Sequence, residues 1–185
     1  SRSEGGVYIV QLEKASVCAQ EASRPASAGQ RNKTFILFDD DLDKALATFV
    51  LANGAAATGG QVSIFFTFWG LNVLKREHKP RVAKDFFGRM FGWMLPSDST
   101  KLPLSKMNFL GLGPRMMRYL MKQKGVDSVE TLRQQALAAG VEFIACQMSM
   151  DVMGIRREEL LDEVTVGGVA SYMERAEQAG VNLFI

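Results

Sequence analysis

The sequence predicts an α/β fold built on a mostly parallel β-sheet. Short, continuous apolar runs such as 34–38 and 62–67 are typical of strands that are buried on both faces. Amphipathic segments of helical length separate these runs, and several of them end at a glycine, a common helix terminator. Strands and helices that alternate in this way imply parallel strands joined by right-handed crossovers.

Apolar periodicity and capping residues predict the elements in order. Ser128, for example, precedes a helix that Gly140 ends, with Glu130 and Arg133 expected on its exposed face. The predicted strands are 34–38, 62–67, 141–145 and 181–185, with 163–166 either a strand or a loop. The predicted helices are 42–53, 82–95, 115–124, 129–139, 158–161 and 169–179.

The chain divides into one domain and a preceding segment. Residues 1–14 hold one strand-like run, and residues 15–32 have the small, polar composition of a linker. We therefore expect one domain of ordinary size over 33–185. No apolar segment of the secretory type opens the chain, and the most apolar run, 62–74, is shorter than the roughly 20 residues that span a bilayer.

The composition excludes several classes of function. A formal net charge of +2 indicates no nucleic-acid-binding face, and two cysteines fit a reducing, cytoplasmic setting. Cys18, Cys146 and His78 are too widely spaced for a four-ligand zinc site, so no metal is expected. No Gly-x-Gly-x-x-Gly follows the first strand, so no dinucleotide cofactor is expected either.

Several candidate site residues follow strands, and the carboxyl ends of parallel strands meet at one edge of a sheet. Asp39, Asp40 and Asp41 follow the first strand; helix capping explains them better than a magnesium site does. The second strand delivers Phe68, Trp69 and Gly70 to the same edge. These three residues are therefore predicted to border one site, together with Asp39 and Asp40.

Cys146 is the strongest candidate for chemistry. It follows the apolar strand 141–145 where a helix or turn begins, and backbone N–H groups from Gln147 to Ser149 favour a thiolate at such a position. Ser149 can also donate a hydrogen bond to the sulfur. The alternative is that Cys146 is a small buried hydrophobic residue without chemical function. The functional interpretation requires that solvent reach the sulfur atom.

The segment Cys146-Gln147-Met148-Ser149-Met150-Asp151-Val152-Met153-Gly154-Ile155 resembles the cysteine segment of DsrE/DsrF-like sulfur-relay proteins. The runs 35–38, 65–70 and 167–170 match that family as well, and the similarity covers about 33–185. Residues 1–14 resemble the last strand of a TusA-like sulfur carrier domain, which would make this chain part of a longer protein.

The resemblance implies a flavodoxin-like fold with about five strands, and a sulfur carrier or sulfurtransferase-like role. Cys146 would hold sulfur as a persulfide and exchange it with partner proteins or small thiols, without a cofactor. From the strand topology, and not from the resemblance, the residues expected to line the pocket are Asp39, Asp40, Phe68, Trp69, Gly70, Gln147, Met148 and Ser149. A homo-oligomer is also implied, and whether the protein turns over as an enzyme stays open.

Two alternatives to the sulfur-carrier role remain. The protein could be an assembly subunit with an inert cysteine, or an accessory domain of a thiol or CoA-disulfide oxidoreductase. The methionine-rich stretch 86–121 favours a subunit contact, with a peripheral membrane contact as the second interpretation. Cys18, in the linker, is expected to be an incidental thiol rather than one that resolves a persulfide.

Overall fold

The computed structural model describes residues 32–77, 90, 95–107 and 111–185. Several predictions lie outside these residues: the strand-like run 1–14, the linker with Cys18, the loop residue His78, and the helix 82–95 apart from Met90 and Leu95. Among the described helices, none combines the length and the apolar character that a bilayer crossing needs.

The structure has a five-stranded sheet in which every strand pair is parallel. The strands are β1 (Lys33–Leu37), β2 (Val62–Phe66), β3 (Glu142–Cys146), β4 (Thr165–Gly167) and β5 (Val181–Phe184), in the spatial order β4-β3-β2-β1-β5. The predicted α/β class with a mostly parallel sheet of about five strands is confirmed. The edge strand beside β1 is β5, the last of the five in sequence order.

The α-helices of the described residues are α1 (Leu42–Ala57), α2 (Leu112–Gln123), α3 (Val129–Ala138), α4 (Gln147–Met153) and α5 (Val169–Glu177). Short 3₁₀ segments cover Phe68–Leu74, Ser99–Lys101 and Arg157–Glu159. The helix predicted at 115–124 starts earlier, because Pro114 in its first turn is compatible with helical geometry. The ambiguous segment 163–166 contributes to strand β4.

Local signals explain why several elements begin and end where they do. The Ser128 hydroxyl accepts a hydrogen bond from the Thr131 amide at the start of α3, and Gly140 follows that helix with a φ of 81°. Gly70 lies so close to β1 that an added Cβ would sit 2.2 Å from the Leu37 carbonyl oxygen. The backbone after β2 therefore requires glycine at that position.

The two faces of the sheet carry separate clusters of apolar side chains. Along β3, Phe143 and Ala145 belong to the large core, whereas Ile144 and Cys146 belong to a smaller cluster. The large core includes apolar residues of α1 and α3, and we call that side the α1 face. The smaller cluster includes Tyr172 of α5, and we call that side the α5 face. Alternation along the strand thus directs the cysteine toward α5.

One prediction about α3 is wrong. Arg133 is only 4% exposed, and its guanidinium donates to the Val73 carbonyl at 2.5 Å, with its pKa lowered by burial. Glu130 is half-buried and pairs with Arg118 at 3.3 Å. Helical periodicity places Arg133 on the polar side of α3, which is why the sequence predicts that it is exposed. Its contact with Val73, in the 3₁₀ segment that follows β2, joins residues far apart in the chain, so the local pattern does not reveal it.

Candidate functional site

Cys146 lies at the carboxyl end of β3, an interior strand next to the edge strand β4, and is also the N-cap residue of α4. It pairs in the sheet with Gly167, the last residue of β4, and Gly168 is the N-cap residue of α5. The sulfur-bearing residue therefore stands where β3, β4, α4 and α5 meet. The predicted position at the carboxyl edge of a strand is the one observed.

The exposure expected for this thiol is not observed. Cys146 is a free cysteine that is 1% exposed, and it clusters with Phe65, Ile144 and Tyr172. The pleat of β3 turns the side chain onto the α5 face instead of toward solvent at the strand end. The requirement that solvent reach the sulfur is thus not met in this conformation.

The residues after Cys146 have different surroundings. The Ser149 hydroxyl is fully buried and lies 2.8 Å from the Thr67 hydroxyl, a hydrogen bond that joins α4 to the end of β2. The Gln147 amide is exposed and donates to the Asp151 carboxylate at 2.9 Å. Met148 is 50% exposed. Ser149 therefore serves as a link between elements, and Met148 faces outward.

The aspartates after β1 do not act as the expected helix cap. Asp41 is the N-cap residue of α1, but its side chain makes no capping hydrogen bond. Lys44 forms ion pairs with Asp39 and, at 3.0 Å, with Asp41. Asp40 is buried and accepts a hydrogen bond from Asn72 at 2.8 Å, and desolvation raises the pKa of this carboxyl.

Sequence reasoning missed two buried polar residues near Asp40. Asn72 is fully buried, and among the contacts that the structure describes its Oδ1 atom has no hydrogen-bond partner. Lys75 is 1% exposed and its ammonium donates to the Pro96 carbonyl at 3.3 Å. One feature of the sequence could have indicated this buried polar group: Asn72 is a polar residue inside the apolar run 62–74.

The aromatic residues predicted to wall the pocket gather around Phe38. The Phe38 ring lies 5.3 Å from that of Phe68, 5.5 Å from that of Trp69 and 5.9 Å from that of Phe184. Gly70 donates its backbone N–H to the Phe38 carbonyl at 2.7 Å. This group stands at the carboxyl ends of β1, β2 and β5, whereas Cys146 ends β3. Trp69 and Phe184 remain 45% and 69% exposed.

A cavity of about 190 Å³ opens at the amino edge of the sheet, at the opposite end from Cys146. Its lining is mainly polar and includes Thr34, Ser63, Glu142 and Arg175. The Arg175 guanidinium donates to both carboxylate oxygens of Glu142, at 2.6 and 2.5 Å. Since Cys146 is not part of this lining, the cavity does not provide a route to the thiol.

Comparison with known proteins gives one family and two full-length relatives. A sequence model described as the DsrE/DsrF/DrsH-like family matches residues 30–184. The chain is 46% identical over 155 residues to "Uncharacterized protein YrkE" of Bacillus subtilis (strain 168), which covers 84% of this chain and 97% of that one. It is 36% identical over 160 residues to "Sulfur carrier protein DsrE2" of Allochromatium vinosum, which covers 84% and 99%.

Among solved structures, the crystal structure of the ychN protein from E. coli aligns with 83% of this chain and 99% of its own. The identity in that alignment is 12% and the TM-score is 0.48.

Proposed function

The chain belongs to the DsrE/DsrF/DrsH-like family, and we propose that it carries sulfane sulfur as a persulfide on Cys146. The observation that carries the proposal is the position of this free thiol, at the carboxyl end of an interior parallel strand where two helices begin. Ligands of open α/β sheets bind at this edge. The name of the A. vinosum relative, a sulfur carrier protein, supports the same role.

The transfer needs neither an oxidant nor a reductant. The Cys146 thiolate attacks the outer sulfur of a donor persulfide, a new S–S bond forms, and the donor leaves as a thiolate. In the second half, an acceptor thiolate attacks the outer sulfur now held on Cys146. The Cys146 thiolate is then the leaving group, so the protein returns to its starting state.

Burial sets a condition on this chemistry, because a donor persulfide cannot reach a side chain that is 1% exposed. On the side of the sheet that Cys146 faces lies α5, whose Tyr172 belongs to the same apolar cluster as Cys146 and is the one buried residue of that nine-residue helix. Tyr172 packs 5.3 Å from Phe65 between ring centroids, and its hydroxyl lies 3.4 Å from that of Thr34. A helix held by so few buried contacts opens at a low free-energy cost. Sulfur transfer therefore proceeds through displacement of α5.

The two helices that begin beside Cys146 both carry exposed apolar side chains. Met148 and Val152 of α4 are 50% and 58% exposed, and Val169 and Met173 of α5 are 57% and 48% exposed. Clustered apolar residues at the surface mark contacts with other proteins. A partner, or a second copy of this chain in a homo-oligomer, that binds these residues would contact α4 and α5 directly. Docking and access to the thiol are thereby coupled.

The direct test is persulfide formation. The protein is incubated with inorganic polysulfide and its intact mass is measured before and after reduction. We expect a reducible adduct of one sulfur atom that survives in the Cys18→Ser variant and is lost in Cys146→Ser. An adduct confined to Cys18, or none on Cys146 at any polysulfide concentration that leaves the fold intact, would contradict the proposal.

A second candidate function is favoured by the burial itself. A thiol at 1% exposure among aromatic and aliphatic side chains also fits a structural cysteine in an assembly subunit that only docks partners. In that case the Cys146→Ser variant still binds its partners, and sulfur transfer between those partners proceeds as it does with the wild-type protein. Loss of transfer with complexes preserved would instead assign the sulfur-carrying role to Cys146.

A further inference from the structure

Helix α2 (Leu112–Gln123) has two apolar faces, and the core uses only one of them. Its inner face packs through Gly113, Pro114 and Met121, which are buried, with Met117 against the large core. The approach is close, since a Cβ on Gly113 would lie 1.9 Å from the Met107 carbonyl oxygen. Folding therefore explains one face of the helix.

The outer face is a stripe of large apolar side chains in solvent. Leu112, Met116 and Leu120 recur at every fourth residue and are 68%, 50% and 44% exposed, and Tyr119 beside them is 61% exposed. Residues four apart lie above one another on a helix, so the stripe is continuous. None of the packing described for residues 32–77, 90, 95–107 and 111–185 requires it, and we call it the outer stripe of α2.

The charged side chains of α2 itself are all basic. Arg115 and Lys122 are exposed on one flank of the outer stripe, and Lys124 follows the end of the helix. No acidic residue occurs from Gly111 to Val126. Arg118 differs from these exposed cations because its guanidinium is directed inward. It lies 3.3 Å from the Glu130 carboxylate and donates to the Ser99 carbonyl at 3.1 Å.

We propose that the outer stripe of α2 is a peripheral docking site for an anionic phospholipid surface. An interfacial helix of this kind buries Leu, Met and Tyr at the headgroup boundary while Lys and Arg extend to the phosphates. Twelve residues give a helix of about 18 Å, too short to cross a bilayer, so α2 lies in the plane of the surface.

The charge argues against a second copy of this chain as the occupant. In a two-fold contact through the same face, Arg115 and Lys122 would approach their own copies with no carboxylate on either helix to neutralise them. A lipid surface bearing phosphates is complementary to the same arrangement. The outer stripe is also convex and carries long, flexible side chains, which suit a fluid surface better than a preformed groove.

Vesicle co-sedimentation with the full chain tests this proposal. Vesicles of phosphatidylcholine alone are compared with vesicles of equal parts phosphatidylcholine and phosphatidylglycerol, at low and at high salt. We expect binding to the anionic vesicles only, weakened by salt because the cations are exposed. Removing one positive charge near the surface lowers the vesicle partition coefficient about 5-fold. We therefore expect a decrease of about 5-fold for Lys122→Gln and of about 30-fold for Arg115→Gln/Lys122→Gln.

Matched controls separate this site from general charge effects. Arg156→Gln, an exposed cation after α4, should leave binding unchanged, whereas Met116→Gln/Leu120→Gln should abolish it without a change in charge. Cys146→Ser should bind as the wild type does, so the result is independent of the sulfur-carrier proposal. The idea fails if wild type ignores anionic vesicles at low salt, or if Arg156→Gln weakens binding as much as Lys122→Gln. It also fails if the wild type does not bind vesicles and light scattering shows that Met116→Gln/Leu120→Gln converts an oligomer into monomers.

Discussion

The two faces of the sheet differ in how much packed side chain covers them. On the α1 face, the Phe49 ring of α1 is tilted against those of Phe66 and Phe143 of the sheet, with centroids 6.4 and 5.8 Å away. Helix α1 alone buries five residues there: Leu42, Ala45, Thr48, Phe49 and Ala52. On the α5 face, α5 buries Tyr172. Among the residues that the structure describes, the helix on the side of Cys146 therefore buries fewer side chains than α1 does.

This difference changes what the burial of Cys146 means. A side chain sealed under the large core would become accessible only when the whole domain unfolds, whereas one under a lightly held helix becomes accessible by local opening. The free energy that protects the thiol is then that of detaching α5. Stability and thiol reactivity should respond to different residues, and three substitutions test that separation.

Phe143→Ala should have the largest effect on stability. Phe143 is 1% exposed in the large core, and truncating such a ring removes about 3–5 kcal/mol from the free energy of unfolding. Denaturant titration measures this loss. If Cys146 is reached by local opening, its alkylation rate in native buffer should hardly change, with peptide mass distinguishing it from Cys18. A rate that rises in step with the lost stability would show that only global unfolding exposes the sulfur.

Tyr172→Leu should show the opposite pattern. The leucine keeps an apolar contact with the sheet but loses the ring contact with Phe65 and the hydroxyl contact with Thr34, so stability falls by about 1–2 kcal/mol. Because these contacts hold α5 directly, Cys146 should be alkylated about 5- to 30-fold faster. An unchanged rate would mean that α5 is not the cover that moves.

Glu142→Gln should give the smallest effect. The pair of Glu142 with Arg175 ties α5 to β3, but both side chains are about one-third exposed, and such pairs contribute about 0.2–1 kcal/mol. We expect a slight acceleration of Cys146 alkylation that disappears at high salt, where the wild-type pair is screened. An acceleration as large as that of Tyr172→Leu would show that the ion pair, and not apolar packing, holds the helix.

Much of the fold was predictable because its signals are local. The strands are continuous apolar runs, Ser128 and Gly140 bound α3 as their chemistry predicts, and Cys146 lies at the strand end where the sequence indicates it. Asp41 shows the limit of such signals. It occupies the N-cap position of α1, but Lys44 is its partner and the cap is not formed by its side chain.

The sequence by itself determined the order of the elements, the edge at which Cys146 stands and the family to which the segment around it points. Only the tertiary structure decided that Cys146 is buried in a cluster with Tyr172 of α5, that Arg133 and Lys75 are buried, and that α2 keeps an apolar stripe in solvent. The reason is physical. Strand and helix periods follow from neighbouring residues, whereas burial depends on which distant element packs against a face, and Tyr172 is 26 positions beyond the cysteine with which it clusters.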